Sequence, residues 1–252
     1  MITSTANERV KLARSLLTES KARRKAGALA LEGTRLVADA LSAGAEPDFI
    51  LYNPEQWTPD SLPVAVAPDR LLPTMPDVFR TVSTTEHPQG VIGVFPMPNA
   101  RLPEHPHRVL ILDALRDPGN AGTILRTAAA ANVEVVIFAP GCVDATNDKV
   151  LRGAMGAHFR IAWREWAWHQ IVTFCAETTL YLADMTGDIA FDQVDWRAPW
   201  SLIVGGEAEG ASPDAESASA QRIHIPMSSG AESLNAAVAA GILMFQAFRT
   251  AN

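Results

Sequence analysis

Two patterns of apolar spacing divide the 252-residue chain near residue 96. In the first part Val10, Leu12, Ala13, Leu16 and Leu17 recur at helical spacing against a basic face. They predict one helix over residues 7–25, ended by Gly27. Residues 28–33 (ALALEG) read as a strand, 34–43 as a helix closed by Gly44, 49–52 as a strand and 91–95 as another. Between the last two, Pro54, Pro59, Pro63, Pro68, Pro73 and Pro76 break the chain into short elements. Residues 96–107 open with PMPNARLPEHP, four prolines without a core pattern, and predict an extended, fairly stiff linker.

Beyond the linker the pattern becomes regular. Strands rich in Val, Ile and Leu are predicted at 109–113, 133–138, 160–163, 179–184, 202–205 and 222–226. Helices are predicted at 121–131, 149–155, 166–176 and 212–219, with one more closing the chain. This alternation implies an α/β fold with a parallel sheet covered on both faces. The expected organisation is a small N-terminal α/β domain over 1–95 and a parallel-sheet domain over 108–252. From 235 to 248 the last helix carries no charge, so something must cover it. Helix 121–131, with its run of alanines, is expected to join it in pairing with a second copy.

Composition narrows the class. Hydrophobic residues make up 48%, enough for a full core. Two cysteines without CxxC, and six histidines without HExxH, give no zinc or disulfide framework, so no metal is expected. The N-terminus lacks the apolar block of a signal peptide, and the longest uncharged run is shorter than a membrane span. A cytoplasmic protein without membrane contact is expected. The net charge of −7 is unevenly spread. Residues 1–35 hold eight basic and three acidic residues, so this arm is +5 and the remainder −12. A basic arm on an acidic body points to a polyanion at one end, although an amphipathic helix with a solvated basic face has the same composition.

In parallel α/β sheets, ligands bind beyond the carboxyl ends of strands. Three such ends carry conspicuous turns. After 109–113 comes ALRDPGN, with Asn120 where an N-cap would stand, glycines at 119 and 122, and Arg126 able to reach a phosphate. After 202–205 comes GEAEG, which is neither GxGxxG opening a long helix nor a P-loop. After 222–226 comes MSSGAESLN, where Ser233 can cap the terminal helix and Asn235 lies beside it. Lys149 and Arg152, among Gly153, Ala154 and Gly156, form a fourth basic element. Singly, each is also explained by a capped helix, an ordinary turn or a solvated face.

Together, Asn120-x-Gly122-x-x-x-Arg126, Gly205-x-Glu207-x-x-Gly210 and Ile225-Pro-Met…Glu232-Ser-Leu-Asn235 resemble the three ordered motifs of the SpoU (TrmH-like) RNA ribose methyltransferases of the SPOUT superfamily. The likeness runs from about 109 to 249, and residues 1–95 more loosely resemble the substrate-binding domain many members carry. The resemblance implies a SPOUT domain with a deep trefoil knot, a bent S-adenosylmethionine held by Gly205, Ile225 and Leu234 with Met227 nearby, and a homodimer formed through the knot domain. It makes Asn120, Arg126, Glu207, Ser233 and Asn235 the catalytic set, acting on ribosomal or transfer RNA. Arg9, Lys11, Lys21, Arg23, Arg24, Arg35, Lys149 and Arg152 are the expected RNA contacts. The sequence departs from the pattern at Ala208, Ala236 and Ala237 and in the Ser-rich stretch 211–220, but at no catalytic position. Two other classes stay open, a non-catalytic RNA-binding module, which predicts loss of these residues, and a dinucleotide oxidoreductase, which needs a GxGxxG that the chain lacks.

Overall fold

A computed structural model describes residues 1–206, 210–228 and 233–251. The chain divides into two compact units. One is Met1–Pro98 with Thr146–Phe159, and the other Asn99–Ala145 with Arg160–Asn252.

The first unit begins with α1 (Glu8–Thr18) and α2 (Ser20–Ala26), then β1 (Ala28–Glu32), α3 (Thr34–Ser42) and β2 (Phe49–Tyr52). It continues with β3 (Leu71–Pro73), α4 (Pro76–Val82) and β4 (Val91–Pro96). The four strands lie in the order β1-β4-β2-β3, with β4 antiparallel to both neighbours and β3 parallel to β2. Alternate residues of β4 face opposite cores. Ile92 and Val94 pack with Val10, Leu16 and Phe79 of α1 and α4, and Val91 and Phe95 pack with Leu36, Val37 and Leu41 of α3.

The predicted single helix over 7–25 is broken. Glu19 is extended, and α2 starts afresh at Ser20. The break lets Arg23 reach back, where its guanidinium donates to the Leu16 carbonyl (2.9 Å) and to Thr146 Oγ1 (2.9 Å). One orphan carbonyl at the end of α1 is thereby satisfied. β3 and α4 went unread because prolines mask their patterns.

The second unit starts with β5 (Arg108–Asp113), α5 (Pro118–Ala130) and β6 (Val135–Phe138). The chain then enters the first unit for residues 146–159, where α6 (Asp148–Ala154) puts Leu151 into the α3-side core and Phe159 edge-on to Phe95 at 5.8 Å. The sequence reading ran the second domain unbroken from 108, whereas this segment groups with the first. It returns through β7 (Ala162–Glu165), α7 (Trp168–Phe174), β8 (Thr179–Ala183), β9 (Ile189–Ala190) and β10 (Trp200–Gly205). α8 (Pro213–Ala218), β11 (Gln221–His224) and α9 (Ala236–Ala251) complete it.

The seven strands are all parallel, in the order β7-β6-β5-β10-β8-β11-β9. Val109, Ile111, Ile137 and Ile203 pack on one face against Trp168 and Ile171 of α7 and Ala215 of α8. Leu110, Leu112, Leu202 and Val204 are buried on the other. α9 packs against β10 and α5, and a Cβ on Gly241 would sit 3.7 Å from Thr127 Cγ2, so small residues set this approach. β10 lies between β5 and β8, both earlier in sequence. The resemblance assigns the turn at Gly205, the turn over 225–229 and residues 233–235 to a knot, and of these 207–209 and 229 lie outside the described residues.

Candidate active site

The carboxyl ends of β8, β10 and β11 open into a cleft of about 650 Å³. Its walls are mostly small or apolar: Ala183, Val204, Gly205, Gly206, Ile223 and Ile225 from the strand ends, with Leu234, Ala236, Ala239 and Leu243 from the start of α9. Met227, Ser233 and Asn235 also line it. The volume lies in the range for a small-molecule ligand of nucleoside size, roughly 300–1,000 Å³.

Backbone packing builds this end of the sheet. β10 pairs with β5 in a register that sets Gly205 beside Asp113. A Cβ on Gly205 would lie 2.9 Å from backbone atoms of Gly210 and Ala211, and one on Gly206 only 2.6 Å from the Ala114 carbonyl oxygen. No side chain fits between these loops. Asp113 is fully buried at the end of an otherwise apolar strand, and its carboxylate accepts from the Ser212 backbone N–H (2.6 Å) and hydroxyl (3.0 Å). Ser212 in turn caps α8. Sequence reasoning missed Asp113; a lone carboxylate closing an apolar run was the available signal.

Two expected caps are corrected. Asn120 is not the N-cap of α5. Asp117 is, accepting from the Asn120 backbone N–H at 2.7 Å, with Pro118 as the first helical residue. The aspartate outcompetes because Pro118, which has no N–H, suits the position just after the cap. Nor does Ser233 cap α9. The Asn235 side-chain oxygen accepts from the Ala237 N–H (2.9 Å) and the Val238 N–H (3.3 Å). With its oxygen so engaged, the Asn235 amide nitrogen donates to Asn120 Oδ1 at 3.1 Å. Two residues 115 apart in sequence are thus joined at the edge of the cleft.

Of the remaining expected site residues, Gly205, Ile225, Met227, Ser233 and Leu234 line the cleft with Asn235, and Glu207 lies outside the described residues. Arg126 is exposed on α5 and does not line the cleft of its own chain. Among the basic residues, Arg9, Lys11, Lys21, Arg24, Arg35 and Lys149 are exposed, with Arg9 over the Phe49 ring and Lys11 paired to Glu8. Arg152 is half-buried against Asp148. Arg23 is buried in the contacts described above, and so is withdrawn as an RNA contact.

The cleft's charge was not anticipated. Asp184 and Glu216 stand on its wall, and Arg222 bridges them at 3.1 and 3.6 Å. The Thr186 backbone N–H, aided by its hydroxyl and by Arg222, holds the Asp184 carboxyl below its usual range, against the opposing effect of burial. Burial pushes the Cys142 thiol up to about 11, which disfavours the nucleophilic thiolate. Among the described residues, no group of His, Cys, Asp and Glu could hold a metal ion, and no helix is long and apolar enough to cross a membrane.

A parallel sheet with a glycine-walled, largely apolar cleft at its carboxyl end is the frame of an enzyme that binds a nucleoside cofactor. Residues 107–245 match the SpoU rRNA Methylase family, and residues 7–93 match the MRM3-like substrate binding domain. The chain is 34% identical to the 23S rRNA (guanosine(2553)-2'-O)-methyltransferase RlmP of Bacillus subtilis, over 97% of both chains. It is also 34% identical to the mitochondrial rRNA methyltransferase 3 of Mus musculus, over 90% of this chain and 68% of that one. The SpoU methyltransferase AviRb of Streptomyces viridochromogenes, solved in complex with AdoMet, superimposes with a TM-score of 0.85 at 25% identity, covering 96% of this chain and 97% of that one. The chain belongs to the SpoU rRNA methylase family. It is an RNA methyltransferase, and its cofactor is S-adenosylmethionine. The cleft fits that cofactor: apolar walls suit a purine, backbone groups at Gly205, Gly206 and Ile225 can meet its polar edge, and the carboxylates suit its positive charges.

Proposed function

We propose that the protein methylates a ribose 2′-hydroxyl of ribosomal RNA. The observation that carries this is the Asn235–Asn120 hydrogen bond, which fastens the first motif to the last at the rim of the cleft. The 2′-O specificity follows the printed activity of the relative that matches this chain over nearly its whole length. S-adenosylmethionine, when bound, supplies an electrophilic methyl carbon, so the chain's work is positioning and handling one proton. Gly205, Ile225 and Leu234, with Met227 nearby, hold the cofactor. Asn120 and Asn235 orient the ribose, and Ser233 supports the turn.

Arg126 acts as a clamp on the adjoining phosphate and stabilises negative charge developing on the ribose oxygen. It does not act as a base, because a guanidinium with a pKa above about 12 holds its proton. Arg126 stands outside its own cleft, and α9 exposes Val238, Ile242 and Phe245 at one-turn spacing. Two copies therefore pair on the α5–α9 surface, and Arg126 serves the partner's cleft. Exposed basic residues of the first unit hold RNA phosphates, which add affinity without reading sequence. The enzyme works in the cytoplasm.

The test is to incubate the protein with radiolabelled S-adenosylmethionine and unmodified ribosomal RNA, then map alkali-resistant linkages. Label at a single ribose is expected. Label on a base instead would overturn the 2′-O assignment.

A further inference from the structure

The first unit contains a second hollow, of about 270 Å³, which the catalytic reading does not use. Asn53 and Phe79 are buried at its floor, and Gln56, Arg80, Glu86 and His87 stand exposed around its rim. Its two loops are fixed before anything binds. The Asn53 backbone N–H donates to the Gly90 carbonyl at 2.9 Å, and the Asn53 side chain accepts from the Glu55 N–H and donates to Gln56 Oε1. Gly90 has φ +79°, and a Cβ there would lie 2.7 Å from Gln56 Cβ, so the loops touch as closely as backbone permits. The base of the 83–90 loop is gripped separately. Ser83, Thr84 and Thr85 all donate to the buried Glu32 carboxylate, and Gln89 accepts from the Thr34 N–H.

The chemistry of the rim is mixed in a way that suits one ligand class. The Arg80 guanidinium, in a loose exposed pair with Asp77 at 3.7 Å, can turn to a phosphate, an imidazole provides a flat face for stacking, and the Gln56 amide N–H with the Glu86 carboxylate offers donor and acceptor to the edge of a base. A simple phosphate site would not place Glu86 there, and an apolar site would not be ringed by four polar groups. We propose that this hollow takes a single unpaired nucleotide of the RNA substrate, with its base at the Gln56–Glu86 edge and its phosphate at Arg80. The proposal rests on the reading of the chain as an RNA methyltransferase, and it adds a recognition site away from the catalytic cleft.

The test uses the full-length protein and an unmodified 23S ribosomal RNA transcript. Arg80→Ala and His87→Ala are exposed changes that leave the fold intact. Each is expected to weaken RNA binding by about tenfold, as loss of a base-stacking or phosphate contact does. Affinity for S-adenosylmethionine, measured by calorimetry, is expected to stay unchanged. RNA fragments with single abasic substitutions are then assayed against wild type and His87→Ala. One abasic position should weaken wild-type binding by the same factor and have no further effect on the variant. Wild-type affinity in both variants, or abasic effects that simply add to His87→Ala at every position, overturns the site while leaving the methyltransferase reading intact. A wild-type protein that neither binds nor labels the RNA overturns both.

Discussion

The side chain of Asn235 does two separable jobs, and substitution can divide them. Its oxygen caps α9, and its nitrogen holds Asn120. Asn235→Ala removes both. Losing the cap costs about 1 kcal/mol, within a range of roughly 0.5–2. Losing a solvent-accessible neutral hydrogen bond adds about 0.5 kcal/mol, the low end for such bonds. Near 2–4 °C per kcal/mol, the second unit's melting transition should fall by roughly 3–6 °C. Asn235→Ser keeps a capping oxygen but cannot reach Asn120, so its melting transition should stay within about 2 °C of wild type. Both variants should nevertheless lose about 100-fold in turnover, the scale for a reacting group displaced by an ångström. Asn120→Ala should match them in activity while leaving the α9 cap in place. The assay is single-turnover methyl transfer to ribosomal RNA beside a calorimetric melt. Full turnover by Asn235→Ser would refute the reasoning, because the side chain would then be a cap and nothing more.

Other consequences follow from particular contacts. On the proposed pairing of two copies, co-expressed Arg126→Ala and Asn235→Ala chains should recover activity that neither variant has alone, since a mixed pair would set one intact Arg126 opposite one intact Asn235. Purified heterodimer without turnover would show that Arg126 acts in its own chain. Arg23→Ala should destabilise the first unit by about 2 kcal/mol through loss of buried hydrogen bonds from a charged group, whereas a change at the exposed Lys21, Lys21→Ala, should leave the melt unchanged and weaken RNA binding; thermal melts and filter binding separate the two. Burial alone would raise the Glu32 carboxyl, but hydrogen bonds from Ser83, Thr84 and Thr85 outweigh it and hold the group below 4.5. Its contribution to stability is therefore fully present above pH 4.5 and lost as pH falls through the lower folded value, a loss that Glu32→Gln should abolish in melts taken from pH 6 to 3.

The parallel sheet was legible because its buried strands are continuous apolar runs. β5 covers all of the predicted strand 109–113, and β6 the last four residues of the one predicted at 133–138. Asn120, Asn235 and Gly205 stood out in the sequence, and the structure joins the first two by a hydrogen bond and sets Asn235 and Gly205 on the cleft. The local competition between candidates was not legible. Asp117 and Asn120 both suit an N-cap, as do Ser233 and Asn235, and only the path of the preceding chain decides. Pairings across long separations were also hidden. Nothing near Asp113 announces Ser212, 99 residues on, and nothing in residues 146–159 shows that Leu151 and Phe159 belong to the first unit's core. The basic arm was misread at one position, Arg23, because composition cannot tell a solvated guanidinium from one folded back onto a carbonyl.

The caps also bear on the electrostatics of the reaction. α5 and α9 both begin at the Asn120–Asn235 contact, so two helix N-termini, each carrying roughly half a positive charge, lie close to one another there. The two ends are not equivalent. α5 is capped by Asp117, whose negative charge offsets its dipole, whereas α9 is capped by the neutral amide of Asn235. The end capped by a neutral side chain belongs to the helix that also lines the cofactor cleft through Leu234, Ala236, Ala239 and Leu243. A ribose oxygen that gains negative charge as it loses its proton would meet this field without any side chain having to move. In the proposed reaction that partial charge is in place before the oxyanion develops, and it adds to the stabilisation assigned there to Arg126.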